Sequence, residues 1–379
     1  MSSLMLEMSA KAQKLNIPLS VQVDLTYRCN ERCVHCYLDH DDHGEMTTAE
    51  IKHLLDEMAD AGVFILTFSG GEIFLRKDIF ELLEYARRLM FCVKLKTNAI
   101  MIHEREARRL RDLNIESIQI SIYSHRAEVH DAITLIPGSL QRSVDAVRFL
   151  KSHGLKVTIA NVLMTQNMQD YPGVRAMADE LGVECTLDPT VTPMMDGDRS
   201  TVELGVETDA LRQVFRDASL VGDVDEFCAI PAQAGESELE SYPCSAGHTA
   251  CYVSPYGEVF PCVQFPLPTG NVRQQRFVDI WRHSAQMNDV RSIQLKHLTT
   301  CSSCSHIGSC SRCPGLAYME GNMHGPSTQD CQKSFARTGI PSANMLLKRS
   351  SGSPSRQSNL IQIRGLTTPP GPAAPGAIA

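Results

Sequence analysis

Residues 20–36 read SVQVDLTYRCNERCVHC, and this stretch sets both the architecture and the chemistry to look for. Residues 20–27 form a short apolar, β-branched run that reads as a strand. It opens directly onto Cys29, Cys33 and Cys36, spaced C-x3-C-x2-C. Working outward, strand-like segments follow at 63–68, 91–96, 116–122, 156–163 and 183–187. They are short and apolar, as expected of a buried parallel sheet. Helical patterns separate them at 48–61, 77–90, 103–112, 139–153 and 170–181. In the first of these, Ile51, Leu54, Leu55 and Met58 fall on one face, and Thr47 with Glu50 can close a capping box. Six βα repeats in about 170 residues predict an α/β fold, a partial (β/α)6 TIM-like barrel with function at the C-terminal ends of its strands. Periodicity does not fix strand order, so an open doubly wound sheet is the alternative.

The rest of the chain divides by composition. Residues 1–19 are an N-terminal extension, 20–190 the barrel, and 191–243 a less regular bridge. Residues 244–335 form a small cysteine-rich module with many turn formers, and 348–379 a Ser-, Pro-, Gly- and Ala-rich tail expected to be disordered. The sequence of 379 residues is 43% hydrophobic and 21% charged, which excludes a wholly disordered chain. A net charge of −8 argues against nucleic acid or a membrane surface as a bulk partner. No apolar run approaches the roughly 18 residues of a membrane span. The start has no basic segment ahead of its apolar residues, so no secretory signal is read and a cytoplasmic location is expected. There, 14 cysteines at short spacings favour metal or cluster ligation over disulfides.

Three thiolates on one loop can converge on a metal centre. A structural zinc wants four ligands, and His35, His40 or His43 could supply the fourth. A [4Fe–4S] cluster with one open iron needs only the three. Further on, Cys244, Cys251, Cys262, Cys301, Cys304, Cys310, Cys313 and Cys331 divide into two four-ligand sites, as in a pair of zinc ribbons or a two-cluster module.

The first cysteine loop resembles the signature of the radical SAM superfamily, where an aromatic residue precedes the third cysteine; His35 holds that place. The second strand ends Phe68-Ser69-Gly70-Gly71-Glu72, matching that family's GGE motif. The resemblance implies a [4Fe–4S] cluster whose open iron is chelated by S-adenosylmethionine. It also implies a GGE loop holding the cofactor's amino group, with cofactor contacts from Ser121 and Asn98. One electron then splits the sulfonium to a 5′-deoxyadenosyl radical that abstracts a substrate hydrogen. Many relatives carry an arginine for the cofactor carboxylate in the stretch around His130–Ser139. None stands between Asp131 and Gln141 here.

The C-terminal cysteines, with SPYGEVFPC at 254–262, resemble the SPASM extension of peptide-modifying radical SAM enzymes. That likeness implies two auxiliary [4Fe–4S] clusters, the first on Cys244, Cys251, Cys262 and Cys313, the second on Cys301, Cys304, Cys310 and Cys331. Two residues, Ser311 and Arg312, separate Cys310 from Cys313, where many relatives have three, so a swap of pairing stays open. The implied function is a radical SAM/SPASM maturase installing a carbon–carbon or thioether crosslink, or a related oxidation, in a ribosomally made peptide. Enzyme side chains and tetrapyrroles are the alternative substrates, and a non-catalytic zinc-binding interaction protein is the alternative class. A reductant such as flavodoxin or ferredoxin is implied. With nineteen residues ahead of the first strand, leader binding is expected to need a separate protein or a groove of this chain. Arg105, Arg108, Arg109 and Arg111 offer one basic surface for it.

Overall fold

The computed structural model describes residues 3–230 and 234–350. Nine strands form one sheet: β1 (Ser20–Asp24), β2 (Ile65–Ser69), β3 (Cys92–Thr97), β4 (Ser117–Ser121), β5 (Val157–Val162), β6 (Glu184–Asp188), β7 (Ala250–Val253), β8 (Glu258–Phe260) and β9 (Gly270–Asn271). Their order is β6-β5-β4-β3-β2-β1-β7-β8-β9. From β1 to β6 every strand lies beside its sequence neighbour, all in parallel. A doubly wound sheet reverses its strand order at a switch point; β1 to β6 run without one, and only β7 to β9 add on the far side of β1. β6 and β1 are not paired, so the barrel stays open.

Each strand alternates. Val21 and Val23, Leu66 and Phe68, Val93 and Leu95, Ile118 and Ile120, and Val157 and Ile159 are buried with the main hydrophobic core. The residues between them (Gln22, Thr67, Lys96, Gln119, Ser121, Thr186) are polar and point to the other face of the sheet. The strands are therefore apolar on one face only, a correction to the reading of them as buried on both sides. The concave face is a polar chamber rather than the packed interior of a closed barrel.

The helix at Thr48–Asp60 buries Ile51, Leu54, Leu55 and Met58, and Thr47 and Glu50 close the capping box. A helix at Ala127–Thr134, missed by periodicity, fills part of the β4–β5 crossover. The cysteine-rich region is not set apart from the barrel. β7 pairs with β1 in parallel, Ser20 opposite Ala250 through Val23 opposite Val253, and β8 and β9 continue antiparallel. Cys251, Val253, Val259, Phe277, Ile280, Trp281 and Met287 share the barrel's core. Trp281 also donates its indole N–H to the carbonyl of Asn16, at 2.5 Å, which ties in the segment ahead of β1. Of the expected tail, residues 348–350 end a helix that starts at Ala343, and the remainder lies outside the described residues.

Candidate active site

The chain leaves β1 at Asp24 and turns across the C-terminal end of the sheet, where the loop carrying Cys29, Cys33 and Cys36 is held from three directions. The first is the turn after β2. Gly71 and Glu72 donate backbone N–H groups to the carbonyls of Thr26 and Arg28, at 2.8 and 2.9 Å. A Cβ on Gly70 would lie 2.2 Å from the Thr26 carbonyl oxygen, and one on Gly71 2.4 Å from that of Arg28. The two glycines are thus required by close approach to the cysteine loop itself. The second is Asn98, after β3, whose side-chain amide donates to the Asn30 side-chain oxygen at 2.7 Å. The third is the C-terminal end of the helix at Ala127–Thr134. There the carbonyls of Thr134 and Ile133 accept from the N–H groups of Arg32 and Val34, both at 3.0 Å. Helix C-termini present such unpaired carbonyls. The sequence had flagged this stretch only for a missing arginine.

Glu72 ties the turn after β2 to the turn after β3. It is fully buried and accepts from the Phe74 N–H at 2.9 Å, the Thr97 hydroxyl at 2.7 Å and the Asn98 N–H at 3.0 Å. Burial raises its pKa against these bonds. Its carboxylate faces the β3 turn, where it fixes Asn98. His35 lies edge-on to Tyr123, ring centres 4.7 Å apart. Burial lowers its pKa to about 4, so the ring is neutral.

One cavity of about 710 Å³ lies under this loop, lined by Cys29, Cys33, Cys36, His35, Ser69, Gly70, Gly71, Asn98 and Ser121. It runs on along strands β3 to β6 through Lys96, Gln119, Asn161, Thr186 and Asp188, and reaches Val263 and Gln264 beyond β8. Residues from so many strands can line a single space only if the sheet curves around it. Ligand pockets of roughly 300–1,000 Å³ are typical of small-molecule and cofactor sites. Sequence reasoning missed Lys96, Gln119, Thr186 and Asp188; the signal was the polar half of each strand's alternation.

The remaining thiols group spatially. Cys262 lies within charge range of Cys244, Cys251 and Cys313. Cys301, Cys304, Cys310 and Cys331 lie within range of one another and line a second cavity of about 30 Å³. The shorter spacing at Ser311-Arg312 produces no swap in this grouping. Burial pushes the Cys301 and Cys313 thiols up to about 11. Among the described residues no three donors converge tightly enough to hold a single metal ion. Each set does consist of soft sulfur donors, and the second surrounds a cavity, which suits an iron–sulfur cluster better than a lone hard cation. Cys228 lies away from the chamber, its Sγ 3.6 Å from the Phe215 carbonyl. The arginines of the basic helix are exposed but paired. Arg105, Arg108, Arg109 and Arg111 pair with Glu106, Glu104, Glu84 and Asp112 at 2.8 to 3.7 Å.

Comparison with known proteins agrees with this geometry. Residues 23–178 match the family described as the radical SAM superfamily, and 244–314 match SPASM, an iron–sulfur cluster-binding domain. The chain belongs to the radical SAM enzymes that carry a C-terminal SPASM domain. Their cofactors are a [4Fe–4S] cluster, S-adenosylmethionine and auxiliary iron–sulfur clusters. The chain is 28% identical over 326 residues to the AdoMet-dependent heme synthase of Methanosarcina barkeri, covering 80% of this chain and 93% of that one. It is 29% identical over 309 residues to the mycofactocin maturase MftC of Mycobacterium tuberculosis, covering 78% of each. The fold is shared with Streptococcus suis SuiB bound to its precursor peptide SuiA, at a TM-score of 0.68, 19% identity, and 85% and 78% coverage. No helix among the described residues is long and apolar enough to cross a membrane.

Proposed function

We propose that this enzyme is a maturase that modifies a ribosomally made peptide inside the chamber, installing a carbon–carbon or thioether crosslink or a related oxidation. The observation that carries this reading is a single cavity lined both by the Cys29/Cys33/Cys36 loop and by Val263 and Gln264, next to Cys262. A substrate side chain held between them lies close to both a hydrogen-abstracting centre and an electron acceptor. We assign the first cluster to Cys29, Cys33 and Cys36, the first auxiliary cluster to Cys244, Cys251, Cys262 and Cys313, and the second to Cys301, Cys304, Cys310 and Cys331. When bound, the first cluster and S-adenosylmethionine supply a radical that removes one hydrogen atom from carbon.

The chain's own residues do the rest. Ser69, Gly70, Gly71, Asn98 and Ser121 form the wall on which the cofactor would rest, and Glu72 holds Asn98 in that wall. Neutral His35 with Tyr123 closes the side of the loop and excludes water. Lys96, whose Nζ donates to the Gln22 amide oxygen at 2.9 Å, gives the chamber an ammonium, and Asp188 gives it a carboxylate on the strand farthest from β1. Together they can orient a zwitterionic peptide segment. A reductant such as flavodoxin or ferredoxin and a cytoplasmic setting belong to this reading, and a separate leader-binding protein is compatible with it.

The test is anaerobic incubation of the reconstituted enzyme with S-adenosylmethionine, reductant and short precursor peptides. A mass loss of two hydrogens supports a crosslink. A tetrapyrrole substrate is the second reading, favoured by the 28% identity to the heme synthase over most of both chains. Turnover of a porphyrin with no change in any peptide would replace the first reading by the second.

A further inference from the structure

Arg312 stands between the last two cysteines of the C-x2-C-x5-C-x2-C block, on a stretch of turns, yet it is only 5% exposed. Its guanidinium is fixed on one side. Nε and Nη2 donate to the Gly325 carbonyl at 2.9 and 2.6 Å, and Nη2 also reaches the Met323 carbonyl. Nη1 is buried and has no acceptor among the described residues. The side chain lines the small cavity enclosed by Cys301, Cys304, Cys310 and Cys331. Asp330 lines the same cavity within charge range of Arg312; its Oδ2 accepts from the Cys313 N–H at 2.8 Å and its Oδ1 pairs with the Lys333 ammonium at 2.8 Å, but no hydrogen bond joins it to Arg312.

A buried guanidinium held by neutral carbonyls, with one N–H unmet, is costly unless an anion completes it. Arginine cannot shed the charge by deprotonating. A four-thiolate iron–sulfur cluster is anionic, and its sulfurs accept hydrogen bonds that raise its reduction potential. Arg312, the residue that carries the unmet donor, lines the cavity where such an acceptor would lie.

We propose that Arg312 is a positioning residue for electron flow: its Nη1 donates to a sulfur of the second auxiliary cluster, and its fixed charge makes that site easier to reduce than the first. This rests on the assignment of a cluster to each quartet. The second site thereby becomes the downhill acceptor for an electron arriving beside Cys262.

The experiment uses the reconstituted holoenzyme labelled with 15N in the arginine guanidinium, with redox-poised and pulsed EPR as readout. Loss of a signal in Cys304→Ser identifies the second site. A 15N coupling in that signal is expected in the native sequence, and its absence from a fully iron-loaded sample overturns the proposal. In Arg312→Gln the reduced-to-oxidised ratio of the second site, held at the native midpoint, should fall roughly tenfold, about 59 mV for a one-electron couple. The first site should move less, and Arg312→Lys should restore most of the loss. An unchanged ratio at full iron content, or equal shifts at both sites, contradicts the proposal. If Arg312→Gln fails to hold iron, the isotope coupling in the native chain still decides. A native chain with no iron at the second quartet defeats the cluster assignment itself, a failure distinct from a loaded site without coupling.

Discussion

The two cysteine quartets sit in different kinds of surroundings. Cys251 lies on β7, a strand hydrogen-bonded to β1, and its neighbourhood is the apolar core of Val253, Val259, Phe277, Ile280 and Trp281. Cys301, Cys304 and Cys310 lie on turns, with no helix or strand between Cys301 and Cys313. Around them the buried residues are largely polar: His306, Arg312, Ser327, Asp330, Ser334 and Ser342. Apolar burial at about 25 cal/mol per Å² holds Cys251 of the first quartet in place whether or not a cluster is bound. The second has little such area and two unpartnered buried nitrogens, Nη1 of Arg312 and Nδ1 of His306. The first site is built by the fold, and the second waits for its ligand to complete it.

The largest break in this comparison comes from removing the clusters. Anaerobic chelation should expose residues 301–342 to hydrogen exchange while β1, β2 and β7 stay protected. Equal protection across both regions would contradict it. Next is Trp281→Ala, which opens a cavity in the shared core and loses the bond to Asn16; a cost of about 3–5 kcal/mol to the whole barrel is expected from denaturant melting. Its counterpart Leu298→Ala, beside the second quartet, should lower iron retention there and shift the main transition by under about 1 kcal/mol, because the opening is local.

A pH-dependent effect concerns Asp24, at the β1–β7 seam. It accepts from the Tyr252 hydroxyl at 3.0 Å and from the Gln22 amide at 3.0 Å. Burial raises its pKa from 3.8 to about 6. Between those values the folded chain holds a proton that the unfolded chain has released, so this group's stabilising contribution falls as pH rises through the window. Asp24→Asn should remove that dependence. The variant should gain about 1–3 kcal/mol relative to the native chain at pH 7 and show no gain below pH 4, read from melting temperatures across the range.

Much of this was legible in the residues. Strand-to-cysteine adjacency at 20–36 and the repeated βα pattern gave the open barrel, because consecutive parallel strands need long helical crossovers and short strands. The number and spacing of the C-terminal cysteines suggested two four-ligand sites, while the membership of each was implied only by the resemblance to the SPASM extension. What escaped was whatever depends on contacts distant in sequence. No local signal says that β7 pairs with β1, since two-sided pairing is decided by which edge of the open barrel is free. The helix at Ala127–Thr134 is eight residues long and too short for a strong period. Gly70 and Gly71 were legible as special but not for the right reason, because the carbonyls that exclude a Cβ belong to Thr26 and Arg28 on another segment. Glu72 likewise shows its partners only once β3 is in place beside β2.

The account's central claim is that the Cys29/Cys33/Cys36 loop and the chamber beneath it cleave S-adenosylmethionine reductively. The most direct measurement is 5′-deoxyadenosine released per cluster from oxygen-free, fully reconstituted enzyme given reductant and S-adenosylmethionine. The account predicts release by the native chain and by Cys304→Ser, and none by Cys33→Ala. No deoxyadenosine from protein holding roughly twelve irons, the content of three [4Fe–4S] clusters, or equal release from Cys33→Ala, would contradict it.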